Sequence, residues 1–248
     1  MADQPPSIPH LAAGKPAGEQ DLLLARRFRL VQSYLPAGRP VLLDFGCGTG
    51  AQTFSFVDHC SRVVGLDIDP EFLGRFQAQA ATRGLAGRVH PVRYAGADIP
   101  VAKASIDCVI SFAVLEHVVD EALALQEIAR ILKPGGTLIM SVPNRWWLFE
   151  THGANLPLLP WNRVPLVSWW PRRLHDRFAR ARIYEKGAFE EKITAWGFAI
   201  LASRYLTAPM DVVRWQLLQN MLRRTVFRRD TTRLAILATE IVVVAQKV

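Results

Sequence analysis

The sequence predicts an α/β protein built on a largely parallel sheet, and three observations carry that prediction. Short, continuous runs rich in Val, Ile and Leu alternate with helical stretches, as expected for strands covered on both faces by crossover helices. The first run ends in the glycine cluster "VLLDFGCGTG" (41–50), a sharp exit from a strand into a helix. The chain has 248 residues, half of them hydrophobic, enough for one large domain or two small ones with a sizeable core.

In order along the chain, residues 1–18 are rich in Pro, Ala and Gly and read as a flexible arm. "DLLLARRFRLVQSYL" (21–35) carries apolar residues at helical spacing with arginines between them, which predicts an amphipathic helix. The runs "RPVLLDFG", "RVVGLDID", "RVHPVRYA", "SIDCVISFAV" and "GTLIMSVP" predict strands ending near 45, 68, 95, 113 and 142. Helices are expected between them at 49–59, 70–83 and 119–132. Segment 143–184 differs in texture, holding Trp146, Trp147, Trp161, Trp169 and Trp170 among repeated prolines. It is too long for a simple connection and reads as an insertion within a single domain spanning 19–248. A helix at 185–196, a strand "FAILASRYL" (198–206), a helix at 209–224 and a strand "EIVVVAQ" (240–246) complete the chain.

Lys and Arg total 30 against 22 Asp and Glu, a formal charge of +8. That balance suits an acidic partner such as nucleic acid, phosphate or anionic lipid, and equally a merely basic surface. Cys47, Cys60 and Cys108 lack CxxC spacing and sit in or beside apolar runs, so they are expected as buried free thiols. The first twenty residues have no apolar core with a basic flank, and the apolar C-terminal stretch is interrupted by Glu240. The expectation is a cytoplasmic protein, with peripheral membrane contact left open.

Gly46, Gly48 and Gly50 allow a tight turn and close approach of a ligand, while Asp67, about twenty residues on, offers an acceptor for ribose hydroxyls. Both features serve a dinucleotide as well. Asp44 separates the alternatives. A carboxylate beside the turn repels a pyrophosphate and attracts the ammonium and sulfonium of S-adenosylmethionine.

Together, "VLLDFGCGTG", "VVGLDIDPEFL" and "SIDCVISFAVLEHVVDEALALQEIARILKPGGTLIMSVPN" resemble the class I S-adenosylmethionine-dependent methyltransferases, over about residues 38–144. The nearest subgroup in appearance is the small-molecule type of quinone and natural-product modification. The resemblance implies a Rossmann-like, seven-stranded sheet of order 3-2-1-4-5-7-6 with the last strand antiparallel. It implies that Asp44, Gly46, Cys47, Gly48 and Gly50 line the methionine end of S-adenosyl-L-methionine. Asp67 would take the ribose, Ile68 would pack on adenine and Asp98 would meet the adenine amino group, while Ser111 and Phe112 would border the sulfonium. The "LKPGG" turn (132–136) is expected to be a structural link.

Methyl transfer is an in-line displacement in which the protein positions the nucleophile and, for a hydroxyl acceptor, removes a proton. His152, His117 and Glu116 are the candidate catalytic residues; Glu116 and His117 also suit a structural pair opening the next helix. Some quinone-type relatives hold a metal with an acid three residues before that glutamate; here Ala113 stands there, and no metal is expected. The absence of an Asn/Asp-Pro-Pro-Tyr sequence after the fourth strand argues against amino-methylating enzymes of DNA and glutamine. The tryptophans of 143–184, with Arg163, Arg172, Arg173, Arg177, Arg180 and Arg182, suit a lid over an apolar or glycan- or lipid-linked acceptor, a membrane contact, or a packed mini-core. The leading expectation is transfer to an oxygen of a small-molecule acceptor. An RNA methyltransferase and a non-catalytic cofactor-binding module are the alternatives.

Overall fold

The computed structural model of the protein describes residues 11, 14, 18, 21–94, 98–150, 152, 154 and 165–248. Eight strands form one sheet: β1 (Val41–Phe45), β2 (Arg62–Asp67), β3 (Val89–Arg93), β4 (Ile106–Phe112), β5 (Leu132–Pro143), β6 (Phe198–Thr207), β7 (Thr231–Thr232) and β8 (Ala238–Lys247). Their order is β3-β2-β1-β4-β5-β8-β6-β7. β1 to β5 pair in parallel, and β8 runs antiparallel to both β5 and β6. This is the expected order with one addition, the two-residue edge strand β7, so β8 takes the place of the expected seventh strand.

Successive residues of β1 feed opposite faces, as strand geometry requires. Leu42 packs with Val31, Phe56 and Phe76 under α1 (Leu22–Val31) and α2 (Pro70–Thr82). Leu43 packs with Ile128, Phe189 and Ile193 under α3 (Glu121–Ile131) and α5 (Lys186–Ala195). An aspartate starts each of the first three helices: Asp21, Asp69 and Asp120 accept amide hydrogens from the first turn, and Pro70 at the first position of α2 sacrifices no bond.

Three expectations need correction. First, 49–59 forms two single-turn 3₁₀ helices, Thr53–Ser55 and Val57–His59, instead of an α-helix. The hydroxyl of Thr53 donates to Asp44 at 2.5 Å, tying this segment to the strand it has just left. Second, the arginines of α1 do not all face water. Arg26 is buried and donates to the carbonyls of Thr207, Ala208 and Phe227, fastening the helix to the far end of the sheet. Third, residues 209–215 are irregular, and helix α6 covers only Gln216–Arg224. The left-handed turn expected of Gly46, Gly48 and Gly50 is present, and at 46 and 50 close packing adds a second demand for glycine. A Cβ on Gly46 (φ +80°) would lie 2.4 Å from a Val114 methyl, and one on Gly50 (φ +83°) would lie 2.1 Å from the Phe76 ring.

Gly50→Ala therefore combines a left-handed backbone with overpacking against a fully buried ring. The expected loss is about 2–4 kcal/mol of stability, read as a shift in the urea midpoint. The substitution Gly74→Ala, on open surface in α2, should lose nothing.

The three cysteines are buried free thiols, as expected. "LKPGG" is the start of β5, with Ile106 opposite Leu132 and a register shift before Cys108 meets Thr137. The 143–184 segment contains α4 (Arg172–Phe178) and a 3₁₀ turn, Val167–Trp169. Trp161 and Arg163 lie outside the described residues, as do Ala95 and most of 1–18. Trp147 is buried, whereas Trp146 and Trp169 are exposed. Among the described residues, no helix is long and apolar enough to cross a membrane.

Candidate functional site

The carboxyl ends of β1, β2, β4 and β5 converge on one edge, where the parallel half of the sheet leaves backbone groups and turn residues for a ligand. At the first exit, the amides of Gly46 and Cys47 both donate to the Leu66 carbonyl, at 2.8 and 2.9 Å, folding the turn back onto β2. Asp67 completes the clasp, accepting from the amide of Gly48 at 2.8 Å and from that of Asp69 at 3.0 Å. Ile68 beside it is 60 % exposed, a large apolar side chain left open next to an acid.

Asp44 is buried, and burial pushes its carboxyl up to about 7, against the opposing hydrogen bond from Thr53. Cys47 turns its thiol inward, toward Gly65 and Phe76, so only its backbone faces the edge. Burial raises that thiol far above its ordinary range. Ser111 is buried in β4, while Phe112 stacks on Phe56 and lies beneath the guanidinium of Arg27 at 5.3 Å. The chain leaves β4 through Ala113, whose φ of +55° is uncommon for a residue with a Cβ and marks a constrained turn at the edge. Asp98 is exposed, and its placement against a ligand rests on residues 95–97, outside the described set.

Next to this edge opens a small cavity of about 160 Å³, lined by Arg27, Ala113, Trp147, Phe149, His152 and Glu240 among others. His152 is held between two buried acids. Its amide donates to Glu150 at 3.1 Å, its Nε2 lies 3.5 Å from Glu116, and its ring meets that of His117 edge-on at 4.8 Å. Burial lowers the His152 pKa, partly offset by Glu150 and Glu240, so its imidazole is neutral at pH 7. Burial drives the Glu116 carboxyl well above its usual range; neither oxygen finds a hydrogen bond among the described residues. Behind His152, Glu150 accepts from His175, which also meets Asp176, both at 3.1 Å. Burial opposes a charge on His175, and the two carboxylates outweigh it and raise its pKa.

The structure thus brings together the three residues expected to be catalytic. It also brings in three that sequence reasoning missed. Arg27 and Glu240 form a buried two-pronged ion pair across 213 positions of sequence, with Arg27 Nε donating to Glu240 at 2.9 Å. Nothing local in either stretch announces it. His175 stands among the arginines of 172–182 with no apolar run around it, yet it is fully buried. Arg27→Met should cost about 3–5 kcal/mol by leaving Glu240 buried and unpaired. The double change Arg27→Met with Glu240→Gln should regain most of it, as read by urea unfolding of all three proteins.

Glu116, His117 and His152 also offer one carboxylate and two imidazoles whose ligand atoms lie within 4.8 Å of one another. The third donor comes from beyond β5, a source that inspection around Ala113 could not reveal.

Comparison with known proteins agrees with this architecture. Residues 43–140 match the methyltransferase domain family. A probable S-adenosylmethionine-dependent methyltransferase of Mycolicibacterium smegmatis is 36 % identical over 127 residues, which are 51 % of this chain and 46 % of that protein. The chain thus spans under half the length of this relative. An uncharacterised methyltransferase of Mycobacterium bovis is 30 % identical over 173 residues, covering 64 % of this chain and 84 % of that one. Among solved structures, an S-adenosylmethionine-dependent methyltransferase from Mesorhizobium loti superposes with a TM-score of 0.61 at 19 % identity, over 90 % of this chain and 98 % of its own.

A parallel sheet that ends in the antiparallel strand β8, strand β6 and the short antiparallel edge strand β7, flanked by helices, is the Rossmann-like architecture of this family's solved structures. The chain belongs to the class I S-adenosylmethionine-dependent methyltransferases.

Proposed function

We propose that this protein methylates an oxygen of a small acceptor held in the cavity between Arg27, His152 and Trp147. The observation that carries the reading is His152, a neutral imidazole steadied by Glu150 and opening on a cavity that reaches Ala113 at the end of β4.

The residues of the edge suit S-adenosylmethionine and not a pyrophosphate. Asp44 is a buried acid whose ionisation is suppressed by burial, and a cation beside it restores the charge. A phosphate there would meet two carboxylates, Asp44 and Asp67. Asp67 keeps lone pairs for the ribose hydroxyls, and exposed Ile68 offers adenine an apolar seat. The backbone of Gly46, Cys47, Gly48 and Gly50 would shape the methionine end, with Ser111 and Phe112 forming the wall toward the sulfonium. When bound, this donor supplies a methyl group on a positively charged sulfur that departs as a neutral thioether. The chain supplies the rest. Trp147 and Phe149 exclude water, Arg27 and Glu240 fix polar substituents, and His152 takes the acceptor's proton as the new C–O bond forms.

The test is turnover of a panel of small phenols, alcohols and carboxylic acids with methyl-labelled donor. Label in an ether or ester supports the reading; label appearing only on nitrogen or carbon contradicts it.

A second reading uses the same three residues differently. With Glu116, His117 and His152 as ligands, a divalent cation would hold the acceptor oxygen and lower its pKa, and His152 would no longer be the base. Chelator treatment decides between them: unchanged turnover in metal-free protein favours the base, and loss restored by added zinc or manganese favours the cation.

A further inference from the structure

The most unusual surface of the molecule lies away from this site, on α6 and the chain around it. A water-facing helix turns its polar stripe outward and its apolar stripe inward; α6 turns two polar side chains in and most of its apolar ones out. Gln219 points inward and donates to the carbonyls of Met210 and Val213 at 3.0 and 3.1 Å, and Arg223 donates to that of Pro209 at 2.7 Å. Leu222 alone of the helix's apolar residues packs on the small core of Trp147, Met210 and Phe227. The others face out: Leu217 is 87 % exposed, Met221 53 %, and Trp215 just before the helix 78 %. Leu218, Val226, Leu234 and Ile236 add further exposed apolar surface.

Charge surrounds this patch. Residues 209–237 contain six arginines and two aspartates, and Arg214, Arg224, Arg228, Arg229 and Arg233 are all exposed. Asp230 is occupied by Arg29, with both bonds at 2.7 Å.

From this we infer that the 214–236 face docks on an anionic lipid surface, with Trp215, Leu217 and Met221 inserting among acyl chains and the arginines meeting headgroup phosphates. Apolar side chains ringed by arginine complement a membrane boundary, which offers hydrocarbon and negative charge together. Nucleic acid would match the arginines but leaves Leu217 and Met221 in water. Because Pro209, Asp211 and Val212 also line the cavity beside His152, docking brings the cavity's wall toward the lipid. The inference stands on surface geometry and is independent of which atom is methylated.

Co-sedimentation of the full chain with phosphatidylcholine vesicles, with and without phosphatidylglycerol, tests it. Partition onto the phosphatidylglycerol vesicles is expected, weakening with added salt. A Leu217→Glu, Met221→Glu double variant should partition about tenfold less or worse while keeping the parent's melting temperature and donor affinity. Three results would overturn the inference: no partition at low salt, equal partition of the variant, or a dimer in ultracentrifugation that the variant dissolves. Binding of a short RNA without binding of vesicles would overturn it as well.

Discussion

If Asp67 holds the donor's ribose as proposed, Asp67→Ala should lower the affinity for S-adenosylmethionine by about a hundredfold or more, the value of two charge-assisted hydrogen bonds lost together with their anchor. The loss has two sources. The side chain could no longer accept from the ribose hydroxyls proposed to meet it, and the turn would lose the bond from Gly48 that holds it against β2. Asp67→Asn separates them, since an amide oxygen can still accept from Gly48 but carries no charge. It should fall between the parent and the alanine variant in calorimetric titration. Equal affinity in all three proteins would remove Asp67 from the site.

If His152 is the base proposed above, His152→Ala should lower kcat by about 10²- to 10⁴-fold while leaving donor affinity unchanged, because its ring faces the cavity proposed for the acceptor. The pH dependence carries the sign of the assignment. Burial holds the His152 pKa below its ordinary 6.5, so the base is neutral above that value and protonated only in more acidic solution. In the parent enzyme kcat should be flat near pH 7 and fall on the acid side, with a midpoint below 6.5. His152→Gln, which retains hydrogen bonding but cannot take the proton, should lose both the activity and the acid limb. A variant that keeps full kcat and the same profile would show that no proton passes through this imidazole.

Much of the fold was legible because its signals are local. Val/Ile/Leu runs marked the buried strands, and the acids at 44 and 67 stood at strand exits where a glycine turn drew attention to them. What periodicity cannot tell is which face of a helix turns inward. Both α1 and α6 show apolar and arginine residues at helical spacing. In α1 two arginines are buried because carbonyls of 207, 208 and 227 and the carboxylate of Glu240 await them. In α6 Gln219 and Arg223 turn inward because the irregular 209–213 segment presents carbonyls to them. These partners are remote in sequence or lie in segments without regular structure. In 49–59 the chain forms two 3₁₀ turns in place of the expected helix, and Thr53 is bonded back to Asp44 of β1. The cluster proposed as catalytic was half legible, since Glu116 and His117 are adjacent, whereas the link from His152 through Glu150 to His175 needs α4 brought against the chain that follows β5.

The most direct measurement is a crystal structure with S-adenosylhomocysteine and an acceptor analogue. The account predicts ribose hydroxyls on Asp67, the amino-acid end along Gly46–Gly48 beside Asp44, and the sulfur facing the cavity of Arg27 and His152. A ribose remote from Asp67, or a sulfur turned away from that cavity, would contradict it.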